Sequence, residues 1–203
     1  YFAVGNAVIN AGCMDETACN FNAEANMENG TCEYPESGFH CDGSEVEIGD
    51  IYRGGIVFYI DDSNHGLISL DHDMGEYGYG LNNQMAGCAN AMTIGTGLQN
   101  TICLDIIYSG NAATQCLNYE HLGYDDWYLP SRDELLEMMY TISQNSPLGN
   151  VGNFSFQSFY WSSSEETINA AYNVWFDPTY GQPIGAYGSN KQAPQKVRPI
   201  RSF

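Results

Sequence analysis

Basic residues are nearly missing from this chain. Its 203 residues hold 6 Lys and Arg against 25 Asp and Glu, a net charge of −19, and the first basic residue is Arg53. Nucleic-acid affinity comes chiefly from Lys and Arg neutralising phosphates, so nucleic acid is excluded as a general partner. Anionic membranes and sulfated glycans are disfavoured on the same ground. Long apolar runs are missing too, so no transmembrane segment is expected. There is no initiator Met and no signal peptide. A chain starting at Tyr1 reads as a mature product or a piece of something longer, with any anchor outside it. Aliphatic residues are almost absent from 12–43. That stretch cannot bury a core and needs cross-links or metal to hold one shape.

What is present points to loop-rich β structure. Hydrophobic residues make up 43%, enough for one sizeable core, and Gly (22) and Tyr (15) are abundant. Clustered carboxylates and amides invite Ca²⁺, which takes six to eight oxygens; the plainer reading is that the acid solubilises. Seven cysteines occur, at Cys13, Cys19, Cys32, Cys41, Cys88, Cys103 and Cys116. Four of them crowd a core-poor segment, which reads as a disulfide staple and an oxidising, extracellular or cell-surface location. The spacings C-x₅-C, C-x₁₂-C and C-x₈-C do not match zinc motifs. Four cysteines allow three pairings. The expected set is Cys13–Cys32 and Cys19–Cys41, with Cys88–Cys103 further on. Cys116, on an apolar helical face, is the candidate free thiol.

Composition divides the chain into residues 1–11, an apolar strand or the end of a preceding domain, 12–48, cysteine-rich and acidic, and 49–203, globular. In the last part, Gly55–Ile60 and Gly66–Leu70 read as a hairpin around Asp61–Asn64. Residues 71–96 read as Gly- and Asn-rich loop. Residues 97–108 and 111–121 show helical spacing. Ser131-Arg132-Asp133-Glu134 is a capping box that opens a helix ending near Asn145, buried through Leu135, Leu136, Met138, Met139 and Ile142. Tyr160–Ser164, Ala170–Phe176 and Lys196–Ile200 are expected strands, with turns at Asp177-Pro178 and Tyr180-Gly181. Strands at both ends with helices between them indicate α+β.

Two resemblances follow. Arg53-Gly-Gly-Ile-Val-Phe-Tyr, Ile94-Gly-Thr-Gly97, Gly123-Tyr-Asp-Asp-Trp-Tyr-Leu-Pro-Ser131, Tyr160-Trp-Ser-Ser-Ser-Glu165 and Val197-Arg-Pro-Ile-Arg-Ser-Phe203 occur in the order of the Lcl C-terminal domain family. Residues 51–203 therefore resemble that family, which implies a C-type-lectin-like fold on bacterial surface proteins and adhesins, and no known activity. Gly12, Cys13, Asp15, Ala18, Cys19, Asn20, Phe21, Asn22, Glu28, Asn29, Gly30, Thr31, Cys32 and Tyr34 fit a cysteine-rich repeat of secreted Bacteroidetes proteins, similar to the calcium-binding repeats of thrombospondin.

The candidate metal ligands are Asp15, Asn20, Asn22, Asn26, Glu28 and Glu33, oxygen donors at near-alternate spacing with Gly30 at a bend. The competing reading is a loop of Asx turns in which these side chains bond their own backbone. A lectin-type sugar site is unsupported, because neither E-P-N nor Q-P-D occurs. Tyr77, Tyr79, Tyr180 and Tyr187, in Gly-rich loops, are the expected exposed aromatics for a ligand. Trp127, Trp161 and Trp175 are expected in the core.

For catalysis the signals are thin. Formylglycine-generating enzymes, related in fold to C-type lectins, use reactive cysteines, but one disulfide and one buried thiol explain Cys88, Cys103 and Cys116 more simply. Leu70-Asp71-His72-Asp73 offers a metal or acid–base cluster, but with only His65 near in sequence the solvated-loop reading is preferred. Ser162-Ser163-Ser164 lacks a nucleophile elbow. Lys191, Lys196, Arg198 and Arg201 gather in an acid-free terminus that pairs with carboxylates of this chain or with a neighbour. The resulting expectation is a non-catalytic adhesion or recognition module on a calcium-stiffened, disulfide-linked neck. It binds an extracellular protein or glycan, or copies of itself. The alternative is a structural filament or sheath subunit that assembles through residues 1–11 by strand addition.

Overall fold

The computed structural model describes residues 8–144, 146–176 and 184–203. The fold is mixed α+β and divides into two compact units, residues 1–46 and 47–203. Among the described residues no helix is long and apolar enough to cross a membrane. The turns expected at Asp177-Pro178 and Tyr180-Gly181, and most of the apolar segment 1–11, lie outside the described residues.

The smaller unit has almost no regular structure. Two-residue strands β1 (Ala11–Gly12) and β2 (Met27–Glu28) pair in parallel. Its buried hydrophobics are Cys13, Ala18 and Val46. Disulfides Cys13–Cys32 and Cys19–Cys41 supply the constraint that an apolar core would otherwise give.

The larger unit is built on two sheets. β3 (Ile51–Tyr52), β4 (Gly55–Ile60), β5 (Gly66–Ser69) and β11 (Ile200–Ser202) form one, in the order β11-β5-β4-β3. The β4–β5 hairpin turns where Asp61 accepts from the Ser63 and His65 amides and Asn64 takes a left-handed φ of 59°. The second sheet orders β6 (Gly75–Tyr77), β10 (Gln195–Val197), β7 (Ser158–Glu165), β8 (Ala170–Phe176) and β9 (Ile184–Asn190) as β6-β10-β7-β8-β9. Only the β10–β7 pairing there is parallel.

Alternation along β7 and β8 sends neighbours to opposite cores. Tyr160 and Val174 join Ile56, Phe58, Leu67 and the buried stripe of α3 (Arg132–Ile142). Trp161 and Ala171 join Leu104, Ala112, Ala113 and Cys116 of α1 (Gly97–Ile107) and α2 (Ala112–Leu117). Both faces of the sheet are covered, so residues 160–165 are buried in an unbroken run. The α3 capping box forms as the spacing requires: the Ser131 hydroxyl accepts the Glu134 amide, and Glu134 accepts the Ser131 amide. Gly97 is needed where α1 crosses this cap, because a Cβ there would fall 2.2 Å from Glu134 Oε2.

Two expectations need correction. Residues 71–96 are not all loop, since 75–77 form β6. Its partner β10 lies far along the chain, so no local pattern announces it. Lys196–Ile200 is not one strand. The chain leaves β10 after Val197, passes through buried Arg198 and Pro199, and enters a different sheet as β11. Pro199 has no N–H to give a ladder, which suits it to that break.

Candidate functional site

The candidate metal ligands of the smaller unit are engaged by backbone and neighbouring groups. Asp15 accepts from the Thr17 amide and hydroxyl and from the Tyr34 hydroxyl at 2.6 Å. These bonds, the Tyr34 one foremost, hold its carboxyl below the usual range. Glu28 takes one amide on each oxygen, Met14 and Gly30, both at 2.7 Å, and is held low by them. Asn20 links the Thr31 carbonyl to the Glu33 amide, so Glu33 is tied through its backbone. Asn22 accepts from Glu24, and Asn26 spans Asn10 and Val8. Among the described residues, only Cys13, Glu28 and Cys32 form a group of three His, Cys, Asp or Glu with ligand atoms within 4.8 Å of one another. The two sulfurs are joined in a disulfide, which withdraws them from thiolate ligation.

The basic terminus is used up within the larger unit. Lys191 pairs with Glu165 at 2.6 Å, both fully buried. Arg198 pairs with Asp73 and donates to the Leu70 and Gly152 carbonyls; Lys196 reaches the same Asp73 at 3.2 Å. Arg201 forks onto Asp126 and lies 3.9 Å over the Tyr124 ring. Arg132 pairs with Asp133. Burial alone would raise the Asp73 carboxyl, but Arg198 and hydrogen bonds from Arg198, Ser155 and Lys196 outweigh it and hold it low.

Residues read for reactivity are structural. Ser162 donates to the Tyr172 carbonyl and Ser164 to that of Ala91. The third disulfide is Cys88–Cys103, and Cys116 is free, buried, and pushed well above the ordinary thiol range by burial. Trp127 and Trp161 are fully buried. Trp175 is half-buried and stacks on Phe159 at 5.4 Å. Among the tyrosines expected to face a ligand, Tyr79 is a correction. It is fully buried beside Trp161, its hydroxyl donates to the Ser163 carbonyl, and burial raises its pKa. Its Gly-rich loop is drawn into the core by β6. Tyr77 is half-buried in β6, Tyr187 is 47% exposed on β9, and Tyr180 lies outside the described residues.

A surface that the sequence did not single out lies along α1. Leu98, Ile102 and Ile106 recur every four residues and are 44%, 39% and 75% exposed. Leu81, Met85, Ile94 and Ile107 are exposed as well. Residues 77–104 contain no Asp, Glu, Lys, Arg or His. Asp105, on α1 itself, accepts from the Thr114 hydroxyl at 2.6 Å. In a chain of net charge −19, an uncharged apolar face is the exception. Apolar residues are spread around the helix rather than gathered on one side, so the pattern alone cannot say which side is covered.

No family model matches the chain, and no curated protein does. The fold is similar to that of a fimbrial protein from Bacteroides ovatus ATCC 8483, with a TM-score of 0.54 and 16% sequence identity. The alignment covers 87% of this chain and 50% of that one, so this chain spans about half of that protein's length. At this identity the likeness is one of fold. Three disulfides, and no membrane-crossing helix among the described residues, are compatible with an extracellular or cell-surface location.

Proposed function

We propose that this chain is an extracellular surface protein that works by binding rather than catalysis, and that its α1 face binds a second copy of the chain in a surface assembly. The observation that carries this is the exposed Leu98-Ile102-Ile106 stripe in a stretch almost free of charge. Two copies of a strongly acidic chain repel wherever carboxylates meet. An uncharged face lets like meet like, and a four-residue ridge packs against its own copy across a two-fold axis. The stripe of three side chains is small beside the ~800 Å² that each partner buries in a standard interface. One such contact is weak alone and suits a subunit held by several contacts at once. The fimbrial name of the structural neighbour agrees with an appendage subunit. The motif order of residues 51–203 supports reading the larger unit as an Lcl-type surface domain.

Sedimentation velocity across a concentration series tests the proposal. Concentration-dependent self-association is expected, and Ile106→Glu is expected to abolish it. A wild-type chain that stays monomeric near millimolar concentration, or association unaffected by Ile106→Glu, would refute it.

A calcium site in residues 15–33 remains a second proposal. One observation favours it: the Glu28 carboxyl, exposed and held low by the Met14 and Gly30 amides, also feels the charge of Asp15. Calorimetry with Ca²⁺ should give heat that Asp15→Asn removes. Absence of heat would end the reading.

A further inference from the structure

Away from α1, the fold gathers side chains that the sequence keeps apart. His72 follows β5, and Tyr119 and His121 follow α2. Asp71 Oδ1 lies 2.6 Å from His72 Nδ1, and the Tyr119 hydroxyl lies 3.0 Å from His72 Nε2. A carboxylate can only accept, so Nδ1 carries the proton; in the neutral ring Nε2 then presents its lone pair toward the Tyr119 hydroxyl. His121 completes the group. Its ring centre is 5.5 Å from that of His72, with the planes at 69°. His121 is fixed by reciprocal backbone bonds with Tyr124 at 2.9 and 3.0 Å. Its ring lies 6.4 Å from Trp127 and stacks against Tyr119.

We propose that His72 and His121 form a surface site for a divalent transition-metal ion of the zinc and copper class. Tyr119 supplies the third donor, an oxygen, and Asp71 holds His72 in the ligating tautomer. Imidazole suits this class of ion, whereas Ca²⁺ and Mg²⁺ prefer oxygen. With metal–nitrogen bonds of about 2.0–2.1 Å, two imidazoles on one tetrahedral ion place their ring centres roughly 5 Å apart. The observed centre separation of 5.5 Å is close to that spacing. A carboxylate on the far nitrogen of a ligating histidine is the usual outer partner of such sites, and Asp71 already occupies that place. The His72 side chain is 47% exposed, so an ion and its waters can reach it.

Calorimetry with zinc chloride on the intact chain tests the site, with Cu²⁺ quenching of fluorescence as a local readout beside Trp127. One ion per chain is expected. His72→Ala and His121→Ala should each weaken binding at least tenfold, and Asp71→Asn by about 10–100-fold, the usual loss for an outer partner. Cu²⁺ should quench part of the tryptophan emission in the wild type and not in His72→Ala. If His121→Ala disturbs Trp127 and the fold, the exposed His72→Ala variant still decides the matter. Absence of zinc heat up to about 1 mM, a free energy of about −4 kcal/mol, would overturn the proposal. So would zinc affinity equal in the wild type and in both histidine variants.

Discussion

Lys191→Met is the sharpest test of how the larger unit holds together. The Lys191 ammonium and the Glu165 carboxylate are both inaccessible to solvent. Lys191 donates to Glu165 at 2.6 Å and to the Gln84 carbonyl at 2.7 Å. Glu165 also accepts from the Ala86 amide at 3.0 Å, the Gly87 amide at 3.2 Å and the Tyr108 hydroxyl at 3.3 Å. The pair thus clamps residues 84–87 onto the end of β7. Replacing the lysine by an apolar chain of similar length leaves a buried carboxylate without a cation, which costs about 3–5 kcal/mol. The three remaining donors favour the lower end, about 3 kcal/mol, or roughly a hundredfold in the folding equilibrium. Removing both charges in Glu165→Gln/Lys191→Met should cost clearly less than the sum of the single changes, with a coupling of at least about 1.5 kcal/mol. Urea unfolding followed by tryptophan fluorescence measures this. All three tryptophans lie in the larger unit, so the signal reports that unit alone. A single-variant cost under about 1 kcal/mol, or strictly additive costs, would refute the reasoning.

Asp73→Asn strips the partner from buried Arg198 and should cost about 3 kcal/mol at neutral pH by chemical denaturation. Because the folded Asp73 carboxyl lies below its unfolded value of about 3.9, its contribution is full above that pH and fades as pH falls toward the folded value. The variant should therefore show a flatter loss of stability in acid below about pH 4, and an unchanged acid limb would count against the pair. Glu134 runs the other way. Burial raises its carboxyl despite the backbone amides bonded to it, so its ionisation weakens the fold as pH rises through the folded value. Glu134→Gln, which can keep a capping-box acceptor, should remove that slope from a stability–pH profile. Ser131→Ala removes the α3 cap and should cost about 1 kcal/mol in a thermal melt. Cys116 should be silent to a thiol reagent in the native chain and react once the chain is unfolded without reductant.

Local features were legible wherever the physics is local. The Ser131-x-x-Glu134 box fixes the start of α3 within four residues. The β-branched run at 55–60 and the Asx turn after it fix the first hairpin. The helical spacing at 97–108 appears as α1, Gly97–Ile107. The donors at 15–33 were visible as oxygen-rich residues, but that the side chains of Asp15, Asn20, Asn22, Asn26 and Glu28 bond backbone groups depends on how two disulfides fold the loop.

By itself the sequence determined a mixed α+β chain with hardly any cationic surface and a cysteine-rich segment that cannot fold on an apolar core. Composition and short-range periodicity act within a few residues or on the chain as a whole, so they are carried by the sequence itself. Only the tertiary structure decided where distant groups meet. Arg198 and Asp73 are 125 residues apart, Arg201 and Asp126 are 75, and His72 and Tyr119 are 47. It also decided that Tyr79 is core and that one side of α1 is bare. Such pairings are set by which strands share a sheet and which helix face a sheet covers, and neither is encoded in any window of neighbouring residues.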